Sequence, residues 1–360
     1  MKILHFAVEN FARVPANLVK AERKLGHNSY LLTLYKTFQK YNDEDFCLDL
    51  PFVATDYLKY WKRRTSPQKS TLTNVRRRTD GPPVWKPANV LDDVMIRMRD
   101  AIWEPRIRSF LKSIDIDSFD LLFLDGGLGF LRSGKIVREL RAKGMQMAIC
   151  YYGSDLRTRG IIPQVDELTE NRFTFEFDHT LMYPKVRFML FPFELVEFEQ
   201  PLRNESTRIR VGHAPTNRAA KGTDVILEKL RQLQKDSGIE IVLIENLLHR
   251  EALKLKASCD VFVDTIGELG YGINSLEALT MGIPTAVEIL PDFEAALGDH
   301  PFINVSADTL IEKLRPLVES VDLRKTSGEE GRQWVKHNHD PVSIAGQILS
   351  QISAGAKIRV

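Results

Sequence analysis

The feature that most constrains this chain is an alternation repeated along its length: a short apolar run, a glycine-marked turn, then a stretch of helical period. Residues 3–8 read as a strand, and Leu18, Ala21 and Leu25 share one face of a helix over residues 15–25. Gly26 stops that helix, and residues 29–34 supply the next strand. Strand, helix and strand joined by short turns predict a right-handed parallel unit. The pattern resumes with strands at 120–124, 147–151 and 186–191 and a helix at 133–142. The second half is more regular, with strands at 209–213, 239–244, 261–265, 284–289 and 302–305. Helices at 224–234, 250–257, 275–281 and 307–319 fall between them, and two more follow at 323–338 and 343–353. Each half has its own glycine turns, so the expectation is two doubly wound α/β sheets, divided in the polar segment 197–206 around Pro201. The expected domains are 1–200 and 201–335, with a terminal helix in 336–360 packing back on the first.

With 360 residues the chain has room for two cores, and 43% hydrophobic against 27% charged residues excludes a disordered class. A net charge of +2 gives no global field for nucleic acid, so nucleic acid is not expected as a partner. Cys47, Cys150 and Cys259 lie too far apart for metal-ligand spacing and read as reduced thiols. No apolar run is long enough to span a bilayer, and the first residues read as a strand rather than a signal peptide. A cytoplasmic protein is the expectation.

One segment fits neither sheet. Residues 59–78 hold eight basic side chains and no acidic one, with Tyr57, Tyr60, Trp61 and Trp85 interleaved. The stretch 57–90 is either a solvated basic insertion or a surface for an anionic membrane, a lipid-linked acceptor or a polyanionic glycan.

Two loops of the second half carry the chemistry. The first, His213-Ala-Pro-Thr-Asn217-Arg218-Ala-Ala-Lys221-Gly222, follows a strand and opens a helix. A guanidinium fork and an ammonium charge suit a pyrophosphate, and the alternative is a turn whose basic residues face water. The second runs from Gly267 through Gly270 and Gly272 to a helix start at Asn274 or Ser275. Amides at that start would attract phosphate, and glycines would let it approach. Glu277 in the first turn either complements the helix dipole or accepts from ribose hydroxyls.

Together the loops resemble the retaining glycosyltransferases of family 4, whose fold is GT-B, two facing Rossmann-like domains with a cleft between them. The similarity is carried by His213–Gly222, by Gly270-Tyr-Gly272 and by Leu276-Glu277-Ala-Leu-Thr-Met-Gly-Ile-Pro284. It is strong over residues 210–287 and weaker but collinear before them, at Gly26-His27 and Gly153-Ser-Asp155-Leu-Arg157. The resemblance implies that Arg218 and Lys221 bind the donor diphosphate and stabilise the departing nucleotide. It also implies that Glu277 holds the ribose, that Ser275 and Leu276 present donors to the phosphates, and that Glu245 lies beside the base. His213, Asn217, Gly270 and Gly272 would line the donor, and Asp155 and Arg157 would face the acceptor. No metal and no cofactor is implied.

Three positions depart from the family pattern. Leu269 stands where the family has a glutamate, with Glu268 as the nearest carboxylate and candidate catalytic residue. Residues 12–16 replace a Gly-Gly loop, and Tyr152 replaces a histidine. The expected function is metal-independent, retaining transfer from a nucleotide sugar to a glycan or lipid-linked acceptor, as in polysaccharide biosynthesis, with cytoplasmic or peripheral inner-membrane location. The alternatives are an inactive nucleotide-sugar-binding subunit of a glycan assembly complex and a GT-B epimerase, which would need a carboxylate acid/base pair.

Overall fold

The computed structural model describes residues 1–36, 43–52, 81–194, 208–267 and 270–357. Tyr57, Tyr60, Trp61, the basic run 59–78, the boundary segment 197–206, Glu268 and Leu269 lie outside the described residues. The chain divides into two compact units. Among the described residues, the first holds those up to Pro192 and those from Pro341 onward, and the second holds Phe193–Asp340.

The first unit is built on a seven-stranded sheet of order β3-β2-β1-β4-β5-β6-β7. Its strands are β1 Lys2–Ala7, β2 Asn28–Thr33, β3 Phe46–Cys47, β4 Leu121–Asp125, β5 Gln146–Tyr151, β6 Arg172–Thr174 and β7 Arg187–Phe188. Every pairing is parallel. The central strands β1, β4 and β5 are nearly continuous apolar runs because helices cover both faces of such a sheet. Helix α1, Val14–Lys24, begins with Pro15 in its first turn and buries Leu18, Val19 and Ala21.

Two features of this unit escape the sequence pattern. Helix α2, Val90–Ser113, buries Trp103, Ile107 and Leu111 on one face. Its opposite face exposes Val90, Leu91, Val94, Met95, Met98 and Ile102. Asn89 caps it by accepting from the Asp92 amide at 2.9 Å, and Asp92 accepts in return from Ala88. Strand β6 is the second: its first residue, Arg172, is buried and paired with Asp166 at 3.0 Å. Three shorter elements complete this region, α3 at Lys135–Ala142, α4 at Pro163–Asp166 and α5 at Phe177–Met182.

The second unit has a five-stranded parallel sheet of order β12-β11-β10-β8-β9. Its strands are β8 Arg210–His213, β9 Glu240–Leu243, β10 Val261–Val263, β11 Thr285–Val287 and β12 Ile303–Asn304. Helices α6 Thr223–Ser237, α7 His249–Ala257, α8 Ile273–Thr280, α9 Pro291–Leu297, α10 Leu310–Glu319 and α11 Val321–Asn338 alternate with or follow them. The core on one side joins Val211, Ile226, Leu230, Val261, Val263 and Leu314. Each such side chain contributes about 1.5–3 kcal/mol on burial. Helix α11 packs on α8 and α10, whereas the last helix, α12 at Pro341–Lys357, packs on α1 of the first unit. That last helix buries Ile344, Ala345, Ile348, Leu349 and Ile352. No helix among the described residues is long and apolar enough to cross a membrane.

Candidate functional site

The second unit gathers its predicted residues at the C-terminal ends of β8 and β10, which are adjacent and parallel. His213 ends β8 and is fully buried. Its Nδ1 lies 2.8 Å from the Val263 carbonyl, which only accepts, so that nitrogen carries the proton. Burial holds the ring below the ordinary histidine pKa, so Nε2 is free to accept from Thr223 Oγ1 at 3.0 Å. Both nitrogens are thereby used inside the unit. His213 ties β8 to β10 and to the start of α6 rather than presenting a free edge to a ligand.

The loop that follows is held by Asn217, whose Oδ1 accepts from the amides of Ala219 at 3.1 Å and Ala220 at 3.2 Å. Its carbonyl accepts from the Lys221 amide at 3.0 Å. Asn217 thus shapes the turn that carries the two cations. Gly222 then takes φ +64°, and a Cβ there would fall 1.9 Å from the Ile266 carbonyl oxygen. No other residue fits this crossing of the two loops.

Lys221 is nearly buried and makes a 3.0 Å ion pair with Asp264, at the end of β10. Asp264 also accepts from the Ser275 hydroxyl at 2.5 Å. Burial alone would push the Asp264 carboxyl up; Lys221 and Ser275 outweigh it and hold the group below the usual carboxylate range. The first loop, the end of β10 and the first turn of α8 are thus joined by one three-residue network. Asn274 adds a second tie, donating to the Ala214 carbonyl at 3.1 Å.

Arg218 stands differently. Its side chain is about half exposed (46%), with Nη1 2.9 Å from Glu245 and Nη2 3.2 Å from Asp224. Glu245, expected beside a base, is therefore the carboxylate that orients this guanidinium.

The start of α8 engages two of its amides within the helix. The amides of Ser275 and Leu276 both donate back to the Gly272 carbonyl, at 3.0 and 3.2 Å, and the Leu276 side chain is buried. Those residues sit one step too far into the helix to offer their amides. Among the described residues, the amides of Ile273 and Asn274, the first two residues of α8, have no backbone acceptor, as expected at a helix start. Gly272 is the cap, in extended backbone, and a Cβ placed on it would meet nothing within 4 Å. Gly270, by contrast, is backed by the Phe293 ring, 2.6 Å from where its Cβ would be.

Glu277 is largely buried and held from two sides. It accepts from Lys256 Nζ, a fully buried ammonium, and from His249 Nε2 at 2.8 Å. Burial would raise its pKa, but the Lys256 charge and the His249 hydrogen bond lower it on balance. Lys256 also donates to Asn274 Oδ1 at 2.7 Å, so Glu277 and the helix start share one ammonium.

In the first unit, Asp155 and Arg157 are not partners of each other. Arg157 is bidentate to Asp178, at 2.8 and 2.6 Å, and also reaches Glu176 at 2.7 Å. Asp155 accepts from the Tyr152 amide at 2.9 Å and pairs with Arg159 at 3.3 Å. Beside them lies a sealed network: His5 Nδ1 is 2.9 Å from Asp125 and Nε2 is 3.1 Å from Glu22. Ser29 donates to Glu22 and the Tyr152 hydroxyl donates to Asp125, both at 2.5 Å. Burial works against a charged His5, but Glu22 and Asp125 prevail and raise its pKa to about 10.

Asp264, Lys256 and His249 were not singled out by sequence. Asp264 carried a usable signal, a carboxylate directly after a short apolar strand at the ligand edge of the sheet. Lys256 and His249, on a helix of mostly polar residues, carried none. Among the described residues no three His, Cys, Asp or Glu side chains are grouped to hold a metal ion.

No family model matches the chain, and no curated protein matches it. Solved structures do match it in fold. Sucrose-phosphate synthase from Thermosynechococcus elongatus aligns at TM-score 0.59 and 13% identity, over 99% of this chain and 100% of that one. HepE from Anabaena in complex with UDP aligns at TM-score 0.55 and 11% identity, over 98% and 100%. UDP-GlcNAc 2-epimerase from Neisseria meningitidis bound to UDP-GlcNAc aligns at TM-score 0.54 and 12% identity, over 99% and 100%. At such identities the likeness speaks for fold, and the fold of this chain is GT-B, with two parallel-sheet α/β domains.

Proposed function

We propose that the protein is a glycosyltransferase that draws a sugar from a nucleotide-sugar donor held by its second unit. The observation that carries this reading is the Lys221–Asp264–Ser275 network. It joins two loops, each flagged separately for phosphate chemistry, at the strand ends where α/β sheets take ligands. Arg218 is the exposed cation that would meet the diphosphate as charge develops on the leaving oxygen. The open amides of Ile273 and Asn274 and the unfilled space at Gly272 suit an approaching phosphate. Lys221 would act at shorter range, already half neutralised by Asp264. Glu277, with spare lone pairs beyond those used by Lys256 and His249, would accept from a ribose hydroxyl. Glu268, one position before the place of the family's glutamate, would reach the donor sugar by a one-residue shift of the loop.

The reading includes retention of configuration, no requirement for a metal, and a glycan or lipid-linked acceptor. The exposed apolar face of α2, which follows the basic run 59–78 in sequence, is the surface proposed to rest on an anionic membrane. Transfer is tested by incubating the protein with donor sugars and candidate acceptors in the presence of a chelator. The product's anomeric configuration is read by NMR. A product of inverted configuration, or activity that needs added metal, removes those two elements. Donor hydrolysis without transfer, or epimerised donor, removes the transferase reading itself.

A further inference from the structure

Charge is unevenly matched where β4 and β5 end in the first unit. Arg99 on α2 is paired with Asp100 at 2.6 Å, and Arg159 is paired with Asp155 at 3.3 Å. Arg159 also donates to the Gly126 carbonyl, just after β4. Arg132, in the loop between β4 and α3, has no such counterpart. None of its guanidinium nitrogens makes a hydrogen bond among the described residues, and Nη1 is buried without one. The residue is nonetheless fixed in place. Its amide donates to Asp100 Oδ2 at 2.8 Å, and its guanidinium lies 5.1 Å from the centre of the Trp85 ring. Trp85 is itself tied to the strand-end loops, its amide donating to the Ile161 carbonyl at 2.8 Å.

A guanidinium nitrogen buried without a partner is costly, and folded proteins rarely keep one without a use. Here the cost is compounded. After burial, the charges of Arg159 and Arg99 are what push the Arg132 guanidinium down to about 10, and Asp100 and Asp155 offset only part of this. The three arginines come from three separate elements, α2, the loop after β4 and the turn after β5. Strands β4 and β5 are adjacent and parallel, so these loops share the ligand edge of the sheet.

We propose that Arg132, flanked by Arg99 and Arg159, is the centre of a binding site for a phosphate group in the first unit. A planar guanidinium presents two parallel N–H donors to a phosphate oxygen pair, and the anion would answer the one surplus positive charge that the two local carboxylates leave. Free inorganic phosphate and the phosphoryl group of a phosphorylated sugar share this chemistry. The second source would make the acceptor a sugar phosphate and rests on the glycosyltransferase reading; the site itself does not.

The test is thermal shift and calorimetry with sodium phosphate against sodium chloride at equal ionic strength. Wild type, Arg132→Met, Arg132→Lys and Arg218→Ala proteins are compared. Phosphate should raise the melting temperature of wild type and should still raise that of Arg218→Ala. Its affinity should fall about tenfold or more in Arg132→Met, the scale of a lost charge-assisted hydrogen bond. Without phosphate, Arg132→Met should melt no lower than wild type, because it removes an unpaired charge. If Arg132→Met does not fold, Arg132→Lys, which keeps the charge and loses the fork, must still weaken phosphate several-fold. No shift in wild type overturns the proposal, as does an equal shift in the Arg132 variants or a shift abolished by Arg218→Ala. Glucose 6-phosphate set against glucose and phosphate separates the sources: tighter binding than phosphate favours the sugar phosphate, and equal binding favours the free anion. Both are binding readouts, so absence of glycosyl transfer would leave them standing.

Discussion

The two sheets both gather charge where their strands end, and the contrast lies in what that charge faces. In the first unit, His5 is enclosed by Glu22 and Asp125, which are in turn capped by Ser29 and Tyr152. That cluster pins α1 to β1 and β4, and its ring nitrogens and carboxylates are all engaged. In the second unit, Lys221 and Asp264 are just as well paired, but they stand beside a half-exposed Arg218, two unused amides and an unfilled glycine cap. A buried ion pair therefore marks stability as readily as function. What distinguishes a ligand site is the set of donors beside the pair that the fold leaves unanswered.

The largest effect that would sharpen this contrast is expected from Lys256→Met. It strands the Glu277 carboxylate in the interior with only His249 for support, and breaking a buried pair in this way costs about 3–5 kcal/mol. A urea melt checks it, and a loss below about 1 kcal/mol, the level of an exposed pair, would show that Glu277 is not held as described. Lys221→Ala carries the same confusion of roles, because it leaves Asp264 without its counter-charge. Arg218→Ala does not, and it is the cleaner probe of chemistry.

Next comes the pH dependence of the first unit. A folded-state pKa of about 10 for His5, against an ordinary 6.5, means its contribution is complete below pH 6.5. It is lost as pH rises toward 10. At about 1.4 kcal/mol per pKa unit this amounts to several kcal/mol. The stability difference between wild type and His5→Gln, measured by denaturant melts at pH 6 to 10, should shrink as pH rises. A constant difference would mean that His5 is neutral in the fold.

Much of the second unit was legible in the sequence because helices such as α6 and α10 bury one face and short apolar runs such as Val261–Val263 mark strands. Helix α2 was not, because apolar side chains occupy its buried face and its exposed face alike, which erases the helical period. Strand β6 was hidden by a buried arginine whose partner, Asp166, only the fold supplies. The site shows the same division. Arg218, Lys221, Ser275 and Glu277 could be found from spacing within two loops. Asp264, Lys256 and His249 act across gaps of 43, 21 and 28 residues, so their roles exist only once β8, β10, α7 and α8 have assembled.

A smaller effect separates fold from ligand at Gly272. The backbone there is extended and the space around it open, so Gly272→Ala should cost only about 1 kcal/mol, as for the loss of a good helix cap. Donor affinity should nevertheless drop, because the methyl group fills the space in front of the Ile273 and Asn274 amides. Unchanged donor affinity would remove this cap from the site. The smallest effect on the folded chain is expected from Met95→Asp with Met98→Asp on the exposed face of α2, within about 0.5 kcal/mol as at other surface positions. Co-sedimentation with vesicles containing phosphatidylserine should fall in that variant, and equal sedimentation would show that the α2 face takes no part in membrane contact.

The most direct measurement is a calorimetric titration of UDP-, GDP-, ADP- and CMP-sugars into wild type and Arg218→Ala at matched stability. One nucleotide class should bind wild type, and Arg218→Ala, which removes a charge-assisted contact, should bind it about tenfold or more weakly with little change in melting temperature. If none of the nucleotide sugars binds wild type, or if Arg218→Ala binds one as tightly as wild type does, the donor site is not where the second unit gathers its charges.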